Sequence, residues 1–238
     1  MSSNSSTSRE FLIVADFNAG NLVSLMTSGS LELPIRARSA PFGPVLHHLL
    51  SRDPELWSRQ TDGAVVWATP QGVSEAYKRR MEGDSGSLDE IVEETRRYAE
   101  ALKRLPDHIR NIFVPTFSAF HPMHARRGLL DMDPEQGLSI ALMRMNVALG
   151  EHTQGDSRIR IFDSSRWSAL TGEKSYDPRL WYAAKTPFSI SVFKNAIADF
   201  IAALRGLEGR ARKLLVLDLD NTLWGGILGD EGWEGLRV

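Results

Sequence analysis

An α/β fold, with a parallel sheet held between two layers of helices, is what this sequence predicts, and three observations carry the prediction. Short, unbroken apolar runs such as residues 11–15 (Phe-Leu-Ile-Val-Ala) and 63–68 (Gly-Ala-Val-Val-Trp-Ala) read as strands covered on both faces. Stretches with apolar residues at three- and four-residue spacing separate them and read as helices. Turn and cap residues stand at the changeovers, which gives strand–helix alternation and hence βαβ units.

Residues 1–10 are rich in Ser, Asn and Thr and read as a frayed tail. The first strand, 11–15, closes on Asp16, and Asn18, Gly20 and Asn21 supply turn chemistry. A stretch with Pro34, Pro41, Gly43 and Pro44 follows without a strand assignment. Val45, Leu46, Leu49 and Leu50 then recur at helical spacing, and 63–68 is the second strand. Ser87-Leu88-Asp89-Glu90 has the form of a capping box, ahead of an apolar stripe from Leu88 to Leu105 that Pro106 ends. Residues 109–117 form the third strand, 135–149 a helix with a core stripe of Leu138, Ala141, Leu142, Met145 and Leu149, and 158–163 the fourth strand. Residues 164–187 show no clean period and read as a long loop. Ile190, Phe193, Ile197, Phe200, Ile201 and Leu204 mark a further helix, and 213–218 the last strand. The expected organisation is a tail over 1–10, an α/β domain over 11–205, a linker over 206–212, and the start of a second domain over 213–238.

Composition narrows the function. The chain is 42% hydrophobic and 24% charged, with net charge -2 from 28 basic and 30 acidic residues. That balance gives no electrostatic footprint for nucleic acid. There is no cysteine, which excludes disulfides, thiolate metal sites and cysteine nucleophiles. No apolar run approaches the length of a membrane span, and the first residues have no apolar signal core, so a cytoplasmic location is expected.

The chemistry concentrates where an apolar run from Leu214 to Leu217 enters Asp218-Leu219-Asp220-Asn221-Thr222. Side chains two apart on a strand share a face, so Asp218 and Asp220 can address one site beyond the carboxyl end of a sheet. Two adjacent carboxylates suit Mg²⁺, which takes few protein oxygens and fills its shell with water and phosphate. A carboxylate can also attack phosphorus, and a second one nearby can act as general acid and base.

These residues in this order resemble the first motif of the haloacid-dehalogenase (HAD) superfamily of phosphatases. The resemblance implies that Asp218 is the nucleophile, Asp220 the acid/base, Asn221 and Thr222 part of the phosphate-facing turn, and Asp218 and Asp220 the ligands of Mg²⁺. The longer string from Lys213 to Gly226 resembles the FkbH-like (HAD-IIIC) subfamily, in which an N-terminal domain related to SGNH hydrolases precedes the phosphatase domain. Residues 179–189 (Arg-Leu-Trp-Tyr-Ala-Ala-Lys-Thr-Pro-Phe-Ser) are similar to the segment such proteins carry just upstream. By this resemblance the fold is a three-layer SGNH- or flavodoxin-like domain followed by the first strand of a HAD-like Rossmannoid domain, with the chain stopping soon after the first motif. The substrate implied is a phosphorylated small molecule, and the setting polyketide or polysaccharide biosynthesis. Loading of a glyceryl unit onto an acyl carrier protein is also implied, although glyceryl-transferring members place Cys where this chain has Leu219. The family's later Ser/Thr, Lys and acidic pair have no counterparts between Leu223 and Val238, so the chain alone is expected to be inactive. A binding module for an acyl carrier protein, or for a polypeptide that completes the HAD domain, is the other reading.

SGNH chemistry needs a Ser just after the first strand and a late Asp-x-x-His pair. Here Asp16-Phe17-Asn18-Ala19-Gly20-Asn21 precedes any Ser, and Asp177-Pro178-Arg179-Leu180 has Leu in place of His, so the triad reads as degenerate. His121 and His124 read as solvated loop, one of His47 and His48 as flanking the core, and the pairs Arg79-Arg80, Arg96-Arg97 and Arg126-Arg127 as solvated. Trp224 and Trp233 are expected to be exposed.

Overall fold

A computed structural model describes residues 8–28, 33–51, 53–119, 128–210, 218, 221, 222, 224, 225, 230 and 232–235. The chain divides into two compact units, Met1–Ile201 and Ala202–Val238. In the first, β1 (Arg9–Ala15), β2 (Ile35–Ser39), β3 (Thr61–Trp67), β4 (Asn111–Pro115) and β5 (Ile159–Phe162) form one sheet in the order β2-β1-β3-β4-β5. Every pairing is parallel. This is the strand order of doubly wound, flavodoxin-like folds, and it confirms the expected α/β class.

β1 shows why the sheet is covered on both sides. Phe11, Leu12, Ile13 and Val14 are all fully buried, so alternate side chains enter two separate cores. Leu12 and Val14 join Ala64, Val66, Ile112 and Val114 in a cluster with α2 (Val45–Ser51), α5 (Leu88–Lys103) and α6 (Leu138–Thr153). The other core is aromatic. Phe113 and Phe162 meet Phe200 of α9 (Ile190–Leu207), while Trp67 packs on Phe17, Phe188 and on Trp167 of α7 (Ser164–Thr171). The ring centroids lie 4.9–5.7 Å apart in tilted and edge-to-face arrangements, as aromatic quadrupoles prefer.

The local signals in the sequence are present as read. Ser87 and Glu90 close a reciprocal capping box on α5, with Glu90 N donating to Ser87 Oγ at 3.0 Å and Ser87 N to Glu90 Oε2 at 3.2 Å. The core stripe of α6 is correct, with Leu138, Ala141, Met145 and Leu149 buried. His47 is exposed, and half-buried His48 bonds the Pro41 carbonyl.

Several readings are corrected. The Pro-rich stretch after α1 (Gly20–Thr27) contains β2, an edge strand whose Ile-Arg-Ala-Arg-Ser sequence lacks an apolar run. Tertiary contacts make it a strand: Arg38 donates to Leu56 O and Thr61 Oγ1, satisfying a polar side chain that the pattern alone would expel. Residues 164–187 are not a long loop. They hold α7, a 3₁₀ turn (Gly172–Ser175) and α8 (Pro178–Ala184), with Asp163 and Asp177 as N-caps and Pro178 in the first turn of α8. β1 begins inside the expected tail, at Arg9, and α9 runs into the expected linker, to Leu207. Arg80 is not solvated. It lies 2% exposed on α4 (Glu75–Glu82) and donates to the carbonyls of Gly86, Gly137 and Pro134. Burial lowers its pKa, and Asp133 opposes that shift. The expected strand over 213–217, together with His121, His124, Arg126 and Arg127, lies outside the described residues. Among the described residues no helix is long and apolar enough to cross a membrane.

Candidate functional site

In a parallel sheet, ligands sit beyond the carboxyl ends of the strands, at the point where strand order reverses. Here that point lies between β1 and β3, and the chain spends it on a structural lock. Asp16, one residue past β1, accepts the backbone N–H of Thr69 at 3.0 Å on Oδ1 and 3.2 Å on Oδ2. The Thr69 hydroxyl donates to Oδ2 as well. Thr69 itself N-caps α3 (Pro70–Val73), accepting Gly72 N at 3.1 Å. A Cβ on Gly72 would come within 1.7 Å of Asp16 Oδ2, so only glycine lets the carboxylate reach this position. Desolvation raises the Asp16 pKa and outweighs the bonds from Thr69, which lower it. Tyr98 of α5 is buried, with no hydrogen-bond partner for its hydroxyl among the described residues. Burial chiefly, and then the Asp16 charge, push its pKa up.

The other positions where the sequence was searched for a triad are committed to structural roles. Phe17 is buried in the aromatic core. Asn18 Oδ1 caps Gly20 N at 2.9 Å, as its turn chemistry suggested, and Asn18 N donates to Lys185 O at 2.9 Å. Asp177 accepts Arg179 N at 2.9 Å, and Leu180 is half-buried in α8. These positions hold no nucleophile–base pair. A small crevice of about 150 Å³ lies beside Asn18, Gly20, Ser39 and Phe42. A larger, open cleft of about 620 Å³ lies by the turn after α4, where Arg80 is already committed to its three carbonyls. Neither brings titratable groups together for catalysis. The Asp16–Thr69 lock was missed at the sequence level, although an N-cap Thr before Pro at the end of a strand was a readable signal.

The sequence-level site stands in the second unit. Asp218 is exposed and forms no ion pair among the described residues. Asp220 lies outside the described residues. Asn221 adopts φ 55°, in the left-handed region that Asn tolerates better than other residues with a Cβ, and both Asn221 and Thr222 are exposed in a turn. The chain therefore turns at Asn221 and Thr222, three residues after the exposed Asp218. Among the described residues no three His, Asp or Glu side chains form a metal cage. Mg²⁺ needs no such cage, since one or two carboxylates and water suffice, and the exposed carboxylate of Asp218 is a hard-oxygen donor of the kind it takes. Trp233 is exposed at 76% and Trp224 is half-buried.

No protein-family model and no curated protein matches the sequence. Among solved structures, the N-terminal part of the protein BF1531 from Bacteroides fragilis aligns with all of this chain at TM-score 0.78 and 18% identity. That protein contains a phosphatase domain and was crystallised with Mg. This chain spans 62% of its length. At that identity the likeness establishes a shared fold. A catalytic mutant of Axe2, an acetylxylan esterase from Geobacillus stearothermophilus, aligns at TM-score 0.48 and 13% identity, over 82% of this chain and 94% of that one. Another Axe2 mutant gives TM-score 0.47 at 13% identity, over 88% and 97%. Both are too distant to bear on function.

Proposed function

We propose that this chain joins an SGNH-like domain without a working triad to the start of an FkbH-like, HAD-type phosphatase domain. In the complete protein Asp218 carries out phosphoryl transfer on a phosphorylated small molecule in the cytoplasm, as part of polyketide or polysaccharide biosynthesis. The observation that carries this reading is an exposed Asp218 three residues before Asn221, whose φ is left-handed. The likeness of the whole chain to a phosphatase-containing protein solved with Mg supports it.

The chemistry follows from the residues. An Asp218 oxygen attacks phosphorus, the ester P–O bond breaks, and the leaving oxygen takes a proton from Asp220. Asp220 then takes a proton from the water that hydrolyses the aspartyl phosphate, and Asp218 is regenerated as phosphate departs. Asn221 and Thr222 offer polar groups to the phosphoryl oxygens. Mg²⁺, when bound by Asp218 and Asp220, supplies neutralisation of phosphoryl charge.

The test is hydrolysis of acetyl phosphate and an aryl phosphate with Mg²⁺, by the chain alone and after addition of a separately expressed polypeptide bearing the later Lys and acidic pair. We expect turnover only in the mixture, and its loss in Asp218→Asn. Turnover that survives Asp218→Asn would sink the assignment. A docking module for an acyl carrier protein or for the completing polypeptide is a second reading, favoured by the exposure of Trp233 beyond the motif. Binding without turnover would select it.

A further inference from the structure

Helix α6 turns one side to the core through Leu138, Ala141, Met145 and Leu149. Its opposite side is also apolar. Ile140, Met143, Val147 and Gly150 follow at spacings of three, four and three, which is the seam of a two-helix pairing. Met143 is 54% and Val147 53% exposed. A helix that is apolar on both sides does not suit open solvent. The 3₁₀ turn Gly128–Met132 packs against α6 and adds Leu129, 99% exposed, with Leu130 and Met132 about half exposed. Contiguous exposed apolar surface of this kind marks interaction sites.

The charges beside the seam identify what covers it. Arg144 and Glu151 are both exposed and stand one heptad apart on the same flank, symmetric about the Val147–Ala148 bond. If a second copy of α6 lies antiparallel across a two-fold axis at that bond, Arg144 of each copy meets Glu151 of the other. One sequence thus yields two opposite-charge pairs. Parallel pairing would instead set Arg144 against Arg144. A Cβ added to Gly150 meets nothing within 4 Å, so the outer surface of the helix is open there and two backbones can approach closely. We propose that the outer face of α6 is a self-association surface, on which two copies of this chain pair antiparallel through Met143, Val147 and Gly150, with Arg144 and Glu151 fixing the direction.

Sedimentation equilibrium on the 238-residue chain tests this. A dimer is expected, with its dissociation constant raised about tenfold by Arg144→Glu or Glu151→Arg alone, since each reversal turns two attractive pairs into repulsive ones. The double variant Arg144→Glu/Glu151→Arg should return close to the original constant. Circular dichroism should show all three folded, because both positions are exposed. The chain has no cysteine, so Val147→Cys provides a clean second readout. Mild oxidation should yield a disulfide-linked dimer, whereas Lys174→Cys, exposed on another element, should not. A chain that stays monomeric at high micromolar concentration would overturn the proposal. So would a dimer indifferent to the single reversals, or a double variant as weak as the singles.

Discussion

Asp16 shows how a single residue can hold two strand ends together at an electrostatic cost. Its carboxylate is desolvated, which raises its pKa, while the N–H and hydroxyl of Thr69 keep it anchored. The folded chain therefore favours the protonated form relative to the unfolded chain. Stability is fullest below the ordinary Asp value of 3.8, declines as the unfolded chain ionises, and levels off above the raised folded value. Urea unfolding from about pH 4 to about pH 8 should show this decline in the wild type and a flatter profile in Asp16→Asn. Parallel profiles for the two proteins would show that Asp16 titrates normally. The sequence marked Asp16 only as a strand-closing residue, since its partner Thr69 stands 53 positions away and residue spacing says nothing about that approach. The expectation at Asp218 has the opposite origin: it rests on a run of consecutive residues and calls on no distant partner.

At the scale of elements, the helices with a strong apolar stripe and a cap were legible. α5 announced itself by its capping box and α9 by its repeating Ile and Phe. α7 and α8 were not, because each spans two turns or so and depends on tertiary partners. Trp167 of α7 is fully buried, and its indole N–H donates to Asp199 Oδ2 of α9 at 2.6 Å, with Arg166 on the same oxygen. Removing that acceptor strands a buried donor. Asp199→Ala should cost about 1–3 kcal/mol in chemical denaturation, and Asp199→Asn, which retains a carbonyl oxygen, distinctly less. A loss for Asp199→Ala within about 0.5 kcal/mol would mean that the indole N–H finds another acceptor. β2 was illegible in the same way, since an edge strand of alternating Arg has no apolar run to betray it.

At the scale of the whole molecule, the division into units 1–201 and 202–238 bears on how the chain yields to attack. The boundary falls within α9, whose backbone bonds continue to Leu207, so proteolysis should spare it. Limited digestion is expected to cut first beyond about Arg210 and to leave a core that melts at the temperature of the intact chain. Even resistance up to the last residue, or a core of lowered melting temperature, would refute that expectation.

The sequence by itself determined the α/β class, four of the five strands of the sheet and the principal helices, because periodicity and capping are local properties of a chain. Only the tertiary structure decided the strand order β2-β1-β3-β4-β5, the inclusion of β2, the burial of Arg80 on three carbonyls and the locking of Asp16 to Thr69. These depend on which distant segments meet. Desolvation and hydrogen bonding between them set the energy of a buried charge, and neither is encoded in the spacing of neighbours along the chain.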